Sequence, residues 1–336
     1  MRTLSPRLDA VIDPRTRTPR AGSYRGGLPP VDPSPLGKGP LFRLAHEKRW
    51  VYVAVTAGDL LVAAVVTRFG YASNSFAFVY DRAEGRMVAR YSAVAPAFAA
   101  EVGDTGGEGC HARFRWLGAR LAIERGVGER DYRLEITAPD LRVSARLSTE
   151  GMPPRIGAVA SLDGAPGLFN ATEKGVLLPV VGEVVAGGRH YALDGGLGGY
   201  DYTAGLLARR TAWRWAFALG RARGAERVGL NLVQGFVGPA ECALWVDGEI
   251  YPLSEGRFEL DADEPLAPWR VRTAEGEVDL RFDPGALHAE KHDFGVVASR
   301  FIQPVGSFSG TVRVAGRAPI ELDRVLGVVE DQDVLW

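Results

Sequence analysis

From residue 48 onward, hydrophobic and polar positions alternate with a period of two, the spacing of half-buried strands rather than of helices. In DYRLEIT, Tyr132, Leu134 and Ile136 fall on one face and Arg133 and Glu135 on the other. LRVSARLS sets Leu141, Val143, Ala145 and Leu147 against Arg142, Ser144 and Arg146. SNSFAFVYDR aligns Phe76, Phe78 and Tyr80, and EVDLRFDP aligns Val278, Leu280 and Phe282. Turn signals such as VDGE, AEGE and VAGR separate these short runs. The pattern predicts an all-β chain of antiparallel barrel or sandwich architecture with few short helices, the latter at Thr203 to Arg210 and at residues 286 to 291.

Strand density is similar before and after the Gly-rich stretch 187 to 205, and 336 residues suit two domains. The expected organisation is an extended Pro/Gly-rich arm over 1–40, one β domain over 41–185 and a second over 186–336. The longest apolar run, Leu60 to Val66, is far short of the ~20 residues of a membrane helix, and the N-terminus lacks a signal-peptide core. Cytoplasmic location, with no membrane span, is the resulting expectation.

Charge excludes one class of partner. Forty basic and 41 acidic residues leave a net charge of -1, without the basic excess or stripe of a nucleic-acid binder. Cys110 and Cys242 stand far apart and read as buried core residues. His288 and His292 flank Glu290, but no third and fourth ligand accompanies them, so no metal is expected. Phosphate-loop, dinucleotide and nucleophile-elbow signatures are lacking, and no cofactor is expected.

The basic residues are 36 Arg and 4 Lys, and there are three Asn, the bias of a GC-rich bacterial coding sequence. Under that pressure Asn74, Asn170, Asn231 and Lys174 stand out as candidate ligand-binding positions. The richest segment is GGLGGYDYTAGLLARRTAWRWAFALG, residues 195 to 220. It reads as a glycine-rich loop bearing Tyr200, Asp201 and Tyr202, followed by a strand with Trp213, Trp215, Phe217 and Leu219 on one face. In one reading the loop sets an acid and two phenols at an aromatic cavity, where a desolvated carboxyl becomes a proton donor. In the other, Asp201 caps the short helix and the Trp residues fill a core. His190, just before the loop, is a candidate acid–base partner. GLNLVQGF places Asn231 and Gln234 on opposite faces of a strand, so that one of them lines a pocket beside the Trp strand.

These segments, with YASNSFAFVYDR, FNATEKG, ECALWVDG, PWRVRTAEGEVDLRF and SRFIQPVGSFSGTVRVAGR, resemble a bacterial family known as domain of unknown function 2804, over nearly the whole chain from about residue 40. A more distant similarity is to tandem lipocalin-like proteins: carotenoid hydratases, survival-factor-like proteins and lipocalin-like Diels–Alderases. Many of these carry Gly-Tyr-x-Asp-x-Asn-Trp-Gly followed by a Trp-x-Trp strand. Asp201, Gly205, Trp213 and Trp215 match, whereas Thr203 replaces the Asn, Ala204 replaces the Trp and Tyr200 is displaced by one position. The resemblance implies two lipocalin-like domains and a pocket for a small apolar molecule.

Three functions follow as expectations. The first is binding of a lipid, isoprenoid or polyketide, with Tyr202, Trp213, Trp215, Asn231, Gln234, Asn74, Asn170 and Lys174 around it. The second is a cofactor-free hydratase, isomerase or cyclase using Asp201, helped by Tyr200, Tyr202 or His190. The third is a structural or interaction role with a barrel interior filled by aromatic side chains.

Overall fold

A computed structural model describes residues 3–293 and 298–336. Nearly all regular structure is antiparallel strand, in a 14-stranded sheet and a nine-stranded sheet. Period-two alternation explains this. Each strand buries one set of side chains on one face and the complementary set on the other. The described helices are short: Pro40–His46, entered by a proline at its first turn, and three 3-10 turns.

The first sheet curls into a nearly closed barrel. Its path runs from Arg86–Pro96 through Ala72–Asp81, Leu60–Phe69, Glu47–Ala57, Gly196–Leu206 and Phe169–Ala186 to a meander ending at Ala100–Val102. That last short strand packs back against Leu60–Phe69. The barrel interior is filled. Val51, Val53 and Val55 meet Phe114, Leu121, Ile136 and Tyr202 in one apolar core. Residues of the N-terminal arm belong to it as well, since Tyr24, Leu28 and Val31 are buried there and Gly22–Arg25 pairs with Ile156–Ser161.

The second sheet is a half-barrel running from Glu249–Pro252 through Ala243–Val246, Arg227–Gly235, Arg210–Arg221, Ile320–Leu335, Ala298–Val312, Val278–Asp293 and Trp269–Thr273 to Gly256–Glu259. Its concave face closes over the outer face of the first barrel. Tyr52, Ala54, Phe76, Phe78 and Tyr80, the alternates of the barrel-filling residues, share a core with Trp215, Phe217, Phe282, Val305 and Phe308. The indole N–H of Trp245 donates to the Pro154 carbonyl at 2.8 Å, a polar tie between the sheets.

Four sequence expectations change. Thr203 to Arg210 is not a helix, because Gly196–Leu206 is one strand and the next begins at Arg210. The glycine-rich loop expected to carry Tyr200, Asp201 and Tyr202 is likewise a strand, and all eleven residues of Gly196–Leu206 are buried. Residues 286 to 291 lie within the strand Val278–Asp293. The change of sheet falls between Leu206 and Arg210, so residues 196–206, expected in the second unit, pair within the first sheet. For Gly196–Leu206 the cause is burial on both faces. A strand covered on both sides shows no alternation, and its small residues imitate loop or helix signals.

Candidate functional site

Between the two sheets lies a cavity of about 380 Å³. The outer face of the barrel contributes Trp50 and Tyr52 from Glu47–Ala57, Val65 and Phe69 from Leu60–Phe69, and Asn74 and Phe76 from Ala72–Asp81. Lys174 comes from Phe169–Ala186, and Asp201 and Thr203 from Gly196–Leu206. The second sheet contributes Trp213 and Trp215 from Arg210–Arg221, Phe301 from Ala298–Val312, and Glu330 and Val334 from Ile320–Leu335. Two lining residues, Tyr71 at 38% and Val94 at 42% exposure, show that the cavity reaches solvent on their side.

The walls are aromatic. The rings of Trp50 and Trp213 are parallel, with centroids 6.2 Å apart, and Tyr52 meets Trp215 edge-on at 5.2 Å. Phe76 and Phe301 approach to 5.6 Å. Such pairs add modestly to the large area these side chains bury.

The buried end is charged. Lys174 Nζ is 2.5 Å from Asp201 Oδ1 and 2.8 Å from Glu241 Oε2. Register explains the first contact, because Lys174 and Asp201 are directly opposed on neighbouring strands. The Thr172 hydroxyl donates to Asp201 Oδ1 at 3.1 Å, and the Trp50 indole N–H reaches Asp201 Oδ2 at 3.4 Å. Burial alone would pull the Lys174 ammonium down, but its two carboxylate neighbours outweigh that and hold it above the ordinary lysine value. Burial pushes the Glu241 carboxyl up, with Lys174 opposing and Asp201 reinforcing the shift.

Glu330 completes this end. Its Oε1 accepts from the Trp213 indole N–H at 2.6 Å and its Oε2 from the Gln303 amide at 2.9 Å. Burial pushes its carboxyl up to about 7, against the pull of those two hydrogen bonds. The Tyr52 hydroxyl is buried with no hydrogen-bond partner among the described residues. Burial, then the charges of Glu330 and Asp201, raise its phenol well above the ordinary value. On another wall Glu290 accepts from Asn74 at 3.0 Å and from Ser92, and pairs with His288 and His292 at 3.2 and 3.5 Å. His288, Glu290 and His292 share a face because the segment is a strand. Among the described residues no group of three His, Cys, Asp or Glu is arranged to hold a metal ion.

The structure brings together Asp201, Lys174, Asn74, Trp213 and Trp215 of the sequence-expected residues. Asn231 stands behind the wall, where it accepts from the Trp215 indole at 2.8 Å and donates to the Glu241 carbonyl at 2.9 Å. Asn170 is buried but does not line the cavity. Tyr200 and Tyr202 do not join Asp201: neighbours in a strand point to opposite faces, and both phenols enter the barrel core. Tyr200 donates there to Glu173 at 2.5 Å, beside Arg155, which pairs with Glu173 at 2.7 Å. His190 is exposed on the short strand Arg189–Ala192, away from the cavity. Gln234 lies on the face opposite Asn231 and accepts from the Phe258 backbone N–H at 3.1 Å.

Sequence reasoning missed Trp50, Tyr52, Glu241 and Glu330 as site residues. The signal existed for two of the elements. EKRWVYVAV sets Trp50 and Tyr52 on one face, and VLGVVEDQDVL interrupts an apolar run with Glu330 and Gln332, two residues apart.

A filled, nearly closed barrel clasped by a half-barrel, with a cavity between them, places the chain in an all-β class of paired antiparallel barrels. Within that class the chain belongs to the family described as Domain of unknown function (DUF2804), whose model matches residues 9–336. Among solved structures it is similar to an AttH candidate from Nitrosomonas europaea, at 14% identity and TM-score 0.50, over 85% of this chain and 92% of that one. It is also similar to CghA crystallised with Sch210972, at 13% identity and TM-score 0.50, over 98% of this chain and 97% of that one. At these identities the likeness is one of fold. No curated protein matches the sequence significantly.

Proposed function

We propose that the protein binds a small, largely apolar molecule in the cavity between its sheets. The observation that carries this reading is an open cavity of about 380 Å³ whose walls are aromatic and aliphatic while a few polar groups converge at its buried end. Binding pockets for small molecules have this size and this division of labour. Two alternatives are weaker. A filled barrel with no ligand accounts for the first barrel's interior but not for the cavity outside it. Proton donation by Asp201 conflicts with its position as the counter-ion of Lys174, 2.5 Å away.

The test uses N-phenyl-1-naphthylamine, a neutral dye that brightens in apolar surroundings. We expect a single saturable site that Ala72→Trp, which fills the cavity from one of its lining positions, abolishes without loss of fold by circular dichroism. Non-saturable brightening, or binding indifferent to that substitution, refutes the reading.

A further inference from the structure

The buried end of the cavity carries an unequal set of charges. Glu330, Asp201 and Glu241 are three carboxyl groups, and among the described residues Lys174 is the one ammonium that lines the cavity with them. Lys174 already faces two of the three carboxyls, and among the described residues the hydrogen-bond donors to Glu330 are neutral, the Trp213 indole and the Gln303 amide. Glu290, the remaining acidic lining residue, is served by Asn74, Ser92 and two histidines. Lys48 is set back from the cavity, over the rings of Tyr71 and Trp336, and its ammonium donates to the Ala45 carbonyl.

A second observation points the same way. Tyr52 lines the cavity, 4% exposed, and its hydroxyl has no partner among the described residues. A buried phenol oxygen without a partner is costly, and a ligand N–H donated to it would remove that cost. Around these groups stand the faces and edges of Trp50, Trp213 and Trp215, and aromatic faces attract cations.

We propose that the ligand is an amphiphile with an apolar body and a protonated amine, its ammonium seated between Glu330 and the Tyr52 hydroxyl against the tryptophan wall. This inference rests on the cavity-binding reading and adds the charge of the ligand to it. An isolated buried carboxylate is poorly tolerated and takes up a proton instead. An ammonium beside Glu330 supplies the missing countercharge, whereas a carboxylate-bearing ligand would add to the excess. The high proton affinity of Glu330 and of Glu241 in the unliganded protein accords with that missing cation.

The experiment compares three probes with one hydrocarbon body, 4-phenylbutylamine, 4-phenylbutanol and 4-phenylbutanoate, by calorimetry on the full chain at pH 8. The amine is expected to bind about tenfold more tightly than the alcohol, and the acid most weakly. Glu330→Gln should bring the amine to within about twofold of the alcohol. Tyr52→Phe, which removes the hydroxyl and keeps the ring, should weaken the amine several-fold without loss of fold. An alcohol or acid that binds as tightly as the amine overturns the inference while leaving cavity binding intact. Failure of all three probes and of the neutral dye overturns both.

Discussion

At the scale of single residues, Glu330 concentrates the physics of the site. Its carboxyl is raised from 4.5 to about 7, chiefly by burial, with the Asp201 charge adding to the shift and Lys174 opposing it. Between those values the folded protein holds a proton that the unfolded chain has released. Stability therefore falls as pH rises through that window, by about 3 kcal/mol when the window is complete. Glu330→Gln should remove this slope. The substituted amide retains an acceptor for the Trp213 indole, and rotation of the Gln303 amide presents Gln303 Oε1, which lacks a partner among the described residues, to the new N–H. Urea unfolding at pH 5 and pH 8 should then show the variant gaining on the wild type by about 3 kcal/mol at the higher pH. Equal slopes in the two proteins would show that Glu330 does not titrate in this window. The sequence drew attention to Asp201 and Lys174 because Asp sits beside aromatics and Lys is rare. It did not reveal that they neutralise each other, because the register between their two strands decides that contact.

At the scale of elements, the strand Gly196–Leu206 is the hardest to read and explains the misplaced helix. Its glycines are there because neighbours come close. A Cβ on Gly199 would lie 2.7 Å from Cζ of Phe217 in the second sheet, and one on Gly205 would lie 2.2 Å from the Phe169 carbonyl oxygen. The first contact lets the half-barrel seat its aromatic strand, and the second lets two paired strands of the first sheet lie close together. A carbonyl held in a sheet cannot move aside as a side-chain tip can. Gly205→Ala should therefore destabilise by about 2 kcal/mol, seen as a lower urea midpoint. An unchanged midpoint would mean that the sheet has slack at this pairing. Strands with one wet face, such as Asp131–Ala138 and Leu141–Ser148, are legible because solvent enforces alternation on them. A loop reading leaves the phenols of Tyr200 and Tyr202 beside Asp201. Once the segment is a strand, parity places them opposite it.

At the scale of the whole molecule, the sheets share one core. Tyr52, Phe76, Phe78 and Tyr80 of the first are buried against Trp215, Phe217, Phe282 and Phe308 of the second. Separating the sheets would expose this apolar surface to water. The full chain should unfold in a single urea transition, with far-ultraviolet circular dichroism and tryptophan fluorescence coincident. Two resolved transitions would show that the sheets are independently stable. The cavity is a property of this docking, since neither sheet encloses it alone.

By itself the sequence determined the strand character of the chain, the inward and outward sets on each half-wetted strand, and the chemical richness of residues 195 to 220. Those are local consequences of a period-two pattern, and they hold whatever the strands pack against. Tertiary structure alone decided that the first barrel is filled, that the cavity lies outside it, and that Glu330 and Tyr52 meet Asp201 and Lys174 there. Tyr52, Lys174 and Glu330 come from strands separated by more than a hundred residues. Only sheet curvature and register bring them to the same water-poor space, where one ammonium must serve three carboxyls.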